Sequence, residues 1–180
     1  RFGMVKTVLV IGANGALGIA VANAAHVAGH KIISTVSRAE KLHDFEQTHP
    51  AFKPAIALDL SNADSAHTTL AAFVKDLPRL DGVVVCPAVS PFKPLEFTTF
   101  EAIRETLEVN TVSAVAIYQA TIDLLRQSKG RLIFTSSLSG AVATPAQGAY
   151  CASKFALEAL VDVMRMDHEG CGVDVILLHP

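Results

Sequence analysis

Tyr150 and Lys154 stand four residues apart in the run YCASK, a spacing that stacks two side chains on one face of a helix. A phenol of ordinary pKa, near ~10, is a weak acid or base at neutral pH until a cation stabilises its anion, and a lysine ammonium at this spacing can supply one. The geometry serves either structure or proton transfer. Just upstream, FTSSLSG places Ser136, Ser137 and Ser139 after an apolar run. Hydroxyls at the carboxyl end of a strand lie where open α/β sheets bind ligands, and their convergence with Tyr150 argues for chemistry.

A second constellation lies near the start. TVLVIG runs into GANGALG, with glycines at 12, 15 and 18 opening a helical pattern. Such a turn lets backbone amides approach a pyrophosphate, whose charge the helix N-terminus favours. Used structurally, it would only pack helix on strand. After the second strand TVSRAEK offers Ser37 and Arg38 and no acid before Glu40. A carboxylate there would hold the ribose of NAD, whereas a basic group attracts the extra phosphate of NADP, so NADP(H) is expected over NAD(H). Asp59, in LDLSN, can reach an adenine amino group or cap the next helix, a role open to Ser61 as well.

The elements that position these groups read as strands at 7–12, 31–36, 54–58, 82–86, 131–136 and 173–178, alternating with helices at 16–28, 39–48, 62–76, 99–109, 112–128 and 149–169. Nearly continuous apolar strands imply a sheet covered on both faces. The pattern predicts a doubly wound parallel α/β fold of three layers, a Rossmann sheet, in one domain spanning 1–180. The last two helices carry apolar residues on more than one face, among them Val112, Val115, Phe155 and Met164. A homodimer or homotetramer through 112–128 and 149–169 would cover the surplus, as could other parts of the chain.

Composition narrows the partners. With 51% hydrophobic residues, 18% charged and a net charge of -2, nothing suggests a nucleic-acid surface. Three cysteines without CxxC spacing give no zinc site, and no metal is expected. They suit a reduced, cytoplasmic protein. Residues 8–29 lack charge but are interrupted by Asn14, Asn23, His26 and the glycines at 12, 15 and 18, so no membrane span and no secretory signal are expected. The chain starts at Arg1 rather than Met and stops after a strand pattern, leaving trimming open at either end.

Taken in order, these motifs resemble the short-chain dehydrogenase/reductase family over essentially the whole chain. Tyr150 and Lys154 match its Y-x-x-x-K, Ser137 the serine thirteen positions before the tyrosine, and Asn110 in LEVNTV the helix asparagine. The resemblance implies hydride transfer between NADP(H) and a small carbonyl or alcohol. Tyr150 would be the general acid or base and Ser137 would polarise the substrate oxygen. Lys154 would hold the nicotinamide ribose, and Asn110 would complete a water-linked proton path from it. It also implies cofactor contacts from Gly12, Asn14, Gly15, Ala16, Leu17, Gly18, Ser37, Arg38, Asp59, Leu60, Pro87, Ala88, Tyr150, Lys154 and Pro180.

The departures matter. The family's T-G-x-x-x-G-x-G appears with Ile11 for threonine and Ala16 for the middle glycine, a spacing closer to sugar-nucleotide enzymes. Where NNAG usually ends the fourth strand stand Cys86, Pro87, Ala88 and Val89, which predicts a looser cleft. His179 and Pro180 fall just before the family's PG motif, implying that the last strand and substrate lid are missing from this chain. A sugar-nucleotide epimerase or dehydratase and a non-catalytic NADP-binding sensor or structural homologue are the alternatives. The short interval before Tyr150 favours the simpler oxidoreductase, and the lean is towards an apolar or weakly polar carbonyl compound.

Overall fold

Six short apolar runs pair edge to edge in register, all parallel, in the order β3-β2-β1-β4-β5-β6. The computed structural model describes residues 4–180. The strands are β1 (Thr7–Ile11), β2 (Lys31–Val36), β3 (Ala55–Ala57), β4 (Gly82–Val85), β5 (Arg131–Thr135) and β6 (Asp174–Leu178). The chain runs outward from β1 to β3 and then returns to the other side of β1 with β4. The connections therefore diverge between β1 and β4, and a crevice opens beyond the carboxyl ends of those strands.

Side chains alternate across the pleat and so feed two cores. Leu9, Ile11 and Ile33 point into the larger one, with Val83, Val85, Leu132 and Phe134. Helices α3 (Ala63–Val74), α5 (Ser113–Ser128) and α6 (Gly148–Asp167) close it with Leu70, Ile117, Leu125, Leu157 and Val161. Val10, Ile32 and Val36 point the other way, against α1 (Ala16–Val27) and α2 (Leu42–Thr48), whose Ala22 and Phe45 are buried there. Both faces of β1 and β2 are thus covered, which is why β1 reads as a nearly continuous apolar run and why even Ser34 and Thr35 of β2 are buried. Among the described residues no helix is long and apolar enough to cross a membrane.

Three local expectations are corrected. The helix expected at 39–48 begins as a 3-10 turn, Ala39–Lys41, before α2. Neither Asp59 nor Ser61 caps α3: the Asn62 side chain accepts the Ser65 N–H at 2.8 Å, while Asp59 accepts the Ser61 N–H at 2.9 Å. The two helices expected at 99–109 and 112–128 form one rod, α4 (Phe100–Leu107) continuing through a π turn at Glu108–Val112 into α5. Asn110 and Thr111 are buried at that turn and satisfied by partners outside the rod.

Candidate functional site

The glycine turn is built by close approach. Gly12 has φ +73, and a Cβ on it would lie 2.4 Å from the Pro87 ring; its N–H donates to Thr35 Oγ1 at 3.0 Å. A Cβ on Gly18 would sit 2.2 Å from the Gly12 carbonyl oxygen. Glycine at these positions lets α1 start directly against β1. That start has no side-chain cap and no acid in its first turn, so its unpaired amides and the positive end of its dipole face the crevice.

A cavity of about 700 Å³ opens there, lined by Gly12, Asn14, Gly15, Ala16, Leu17 and Gly18, by Ser37 and Arg38, by Asp59 and Leu60, and by Pro87 and Ala88. These are twelve of the fifteen residues expected as cofactor contacts. Tyr150, Lys154 and Pro180 do not line this cavity. Asn14 tethers the turn to the end of β2, its Oδ1 accepting the Ser37 N–H at 3.3 Å and its Nδ2 donating to Ser37 Oγ at 3.4 Å. Arg38 is exposed, 3.9 Å from Glu40. The Ser61 N–H, the Ser61 hydroxyl and the Arg38 charge hold the Asp59 carboxyl below its usual range, against a smaller effect of burial. Lys41 also lines the cavity. Sequence reading missed it, although its position three residues after Arg38 on an incipient helix put a second cation within reach.

The segment after β4 is not loose. Pro87 packs over Gly12, the Cys86 N–H donates to the Ile11 carbonyl at 3.3 Å, and Asn110 grips Val89 from both sides. Its Oδ1 accepts the Val89 N–H and its Nδ2 donates to the Val89 carbonyl, each at 2.8 Å. Here a buried amide on the π turn does the steadying expected of strand asparagines. Burial pushes the Cys86 thiol up to about 11, which keeps it protonated at neutral pH.

Tyr150 and Lys154 share one face of α6. Lys154 is 1% exposed; its Nζ donates to the Thr135 carbonyl at 2.7 Å and lies 5.7 Å from the centre of the Tyr150 ring. Burial pulls its pKa down to about 8, and the Glu158 carboxylate partly opposes that pull. Ser137 opens the 3-10 turn Leu138–Gly140, its Oγ accepting the Ser139 N–H at 3.2 Å. Asn110 Nδ2 also donates to Ser153 Oγ at 3.0 Å, and that hydroxyl donates to the Tyr150 carbonyl at 2.7 Å. Its side chain thus reaches the first turn of α6 through Ser153, a partner that sequence reading did not single out. Glu158 was missed too: the Ser136 hydroxyl donates to its Oε1, and His179 Nε2 lies 2.7 Å from the same oxygen. Its position four residues beyond Lys154 was the available signal.

A sequence model of the short chain dehydrogenases matches residues 6–180. The chain is 30% identical to the mitochondrial D-beta-hydroxybutyrate dehydrogenase of Rattus norvegicus over 97% of its own length and 53% of the relative. It superposes on a short-chain dehydrogenase from Streptomyces avermitilis with a TM-score of 0.89 at 28% identity, covering 98% of this chain and 65% of that one. A metagenomic short-chain oxidoreductase in complex with NADP gives 0.85 at 26% identity over 97% and 81% of the two chains. The chain spans about half the length of the curated relatives it matches first. With the sheet order, the glycine turn and the Tyr150 and Lys154 face together, these matches establish that the chain belongs to the short-chain dehydrogenase/reductase family, whose members bind nicotinamide cofactors.

Proposed function

We propose that the protein of which this chain forms part is an NADP(H)-preferring oxidoreductase acting on a small carbonyl or alcohol substrate, with Tyr150 as general acid and base. The observation that carries the reading is the Lys154 ammonium, buried and held 5.7 Å from the centre of the Tyr150 ring. With that cation against its ring, Tyr150 would take a proton from an alcohol or return one to a carbonyl oxygen. Ser137 holds that oxygen by hydrogen bonding. Asn110 and Ser153 fix the first turn of α6 beneath Tyr150.

The α1 amides and Gly18 would hold a pyrophosphate, Asp59 an adenine, and Arg38 with Lys41 a ribose phosphate, in a cavity whose lining suits each. When bound, the nicotinamide supplies the hydride. Exposed Val112, Phe155, Val163 and Met166 on the π turn and α6 support self-association through those helices. The free thiols of Cys86, Cys151 and Cys171 support a reducing compartment such as the cytoplasm.

The test compares the full-length protein with Tyr150→Phe, measuring NADPH affinity by titration and turnover with aromatic aldehydes. Loss of turnover by roughly 10²-fold or more with unchanged NADPH affinity supports the assignment. Undiminished turnover in Tyr150→Phe removes Tyr150 from the chemistry. Cofactor binding without turnover in the parent protein favours a non-catalytic NADP-binding sensor.

A further inference from the structure

The chain that leaves Ser137 returns to α6 at Gln147, where one carboxamide oxygen holds two points of the intervening loop. Gln147 Oε1 accepts the Thr144 hydroxyl at 2.8 Å and, more weakly, the Ser139 hydroxyl at 3.4 Å. Ser139 belongs to the 3-10 turn that Ser137 opens, and its N–H donates to Ser137 Oγ at 3.2 Å. At the other end, the Gln147 carbonyl accepts the Cys151 N–H at 2.8 Å and so begins the first turn of α6. The Gln147 side chain does not cap that helix; it is spent on the loop instead.

Thr144 is tied to the same helix turn a second time. Its N–H donates to Cys151 Sγ at 3.5 Å, and Cys151 is 4% exposed beneath it. The loop after β4 joins here as well. Ala146, held at φ +62, accepts the Lys93 N–H on its carbonyl at 2.7 Å, and Leu95 packs so closely on Gly148 that a Cβ there would lie 3.0 Å from its Cδ1. A left-handed alanine is costly and persists only where its surroundings over-determine it. The stretch 144–148 is thus where the segments that follow β4 and β5 meet, just ahead of Tyr150.

We infer that Gln147 is a positioning residue: by drawing Thr144 and Ser139 to one oxygen it fixes the turn that carries Ser137 against the helix turn that carries Tyr150. This rests on the reaction proposed above, in which the hydroxyls of Ser137 and Tyr150 must meet one substrate oxygen. Two groups from different elements act together on one atom only while their separation is held. Gln147, Thr144 and Ser139 do not line the cofactor cavity, so the effect of Gln147 falls on the chemical step and spares cofactor binding.

The experiment uses the full-length protein with Gln147→Leu, which keeps bulk but no acceptor, with Thr144→Val, which removes the hydroxyl at nearly constant shape, and with both. Each is measured for kcat in NADPH-dependent reduction of aromatic aldehydes, for NADPH affinity by titration, and for the rate at which iodoacetamide alkylates Cys151, located by peptide mass. The expected result for each single variant is a kcat lowered by roughly 5–20-fold with NADPH affinity within about twofold of the parent. Cys151, uncovered as Thr144 is released, should be alkylated several times faster. The double variant should match Gln147→Leu alone, because both substitutions break the same bond.

A parental kcat in Gln147→Leu, or losses that multiply in the double variant, overturns the assignment. Should Gln147→Leu fail to fold, Thr144→Ser, with the hydroxyl restored, must show the parental kcat while Thr144→Val does not. Turnover abolished by Tyr150→Phe and untouched by Gln147→Leu keeps the proposed reaction and removes Gln147 from it. Faster Cys151 alkylation in Gln147→Leu of a protein that reduces nothing keeps Gln147 as the anchor of the loop and overturns the reaction.

Discussion

Gly18 lies against the backbone of Gly12 so closely that a methyl group on it would stand 2.2 Å from the Gly12 carbonyl oxygen and 2.9 Å from the Ala13 Cα. Both obstacles are backbone, and neither can turn aside as a flexible side chain can. Gly18→Ala must therefore push α1 away from β1, at a cost of ~1–3 kcal/mol typical of overpacking. The same displacement moves the uncapped α1 amides that face the cavity. Urea denaturation should report the lost stability and an NADPH titration a weaker complex; a variant with parental stability would mean that α1 yields without strain.

Lys154 makes stability rise with pH, the reverse of a lysine whose pKa is raised by a partner. Its folded pKa of about 8 lies below the ordinary 10.5, so between those values the unfolded chain binds more protons and stability rises with pH. Below about pH 8 the whole cost of burying the ammonium is present, and by 10.5 most of it is relieved. Lys154→Met removes this dependence. Relative to the variant, the parent should gain roughly 3 kcal/mol between neutral pH and the upper end of that window. Denaturant midpoints at about four pH values measure it, and a constant gap would show that Lys154 keeps its charge freely when folded.

Under the proposed reading, Arg38 separates the two cofactors. It is exposed beside the cavity, with Glu40 at 3.9 Å as a weak partner, and its guanidinium is available for a ribose phosphate. Loss of one charge-assisted contact is worth about 1.5–3 kcal/mol, or ~10–100-fold in affinity. Arg38→Ala should weaken NADPH binding by that factor and leave NADH binding within about twofold. Equal losses for both cofactors would place Arg38 in a structural role. Residual NADPH preference in Arg38→Ala that vanishes when Lys41→Ala is added would identify Lys41 as the second cation.

The layers of this fold were legible because burial on both faces leaves a plain mark: apart from the threonine that begins β1, strands such as TVLVI and GVVV contain no polar residue to conceal their place in the middle of the sheet. The cavity lining was legible for a related reason, since backbone contact with a phosphate requires glycines and strand ends that local sequence reveals. Side-chain partners across the fold were not. Asn110 stood out as a helix asparagine, but its partner, the backbone of Val89, lies twenty-one residues away. Glu158 looked like an ordinary helix carboxylate until β5 and β6 brought Ser136 and His179 to it. Asn62 rather than Asp59 or Ser61 caps α3 because Asp59 bonds within its own turn, a competition among adjacent short polar side chains that spacing alone does not decide.

The π turn at Glu108–Val112 also holds slack in the rod. A π turn carries one residue more than the α-helix it interrupts, and its widened turn absorbs that residue without changing the phase of the rod on either side. Removing a single residue between Leu107 and Ser113 would therefore let the helix wind uninterrupted and leave Ile117 and Leu125, now fully buried, on the sheet. The loss would be confined to the turn, where Asn110 and Thr111 reach Val89 and Ser153. Inside α5 there is no such slack: each residue of an α-helix turns the rod by about 100°, so a deletion there would swing everything beyond it off the sheet. The rod should thus accept a change in count at the π turn and refuse it along α5.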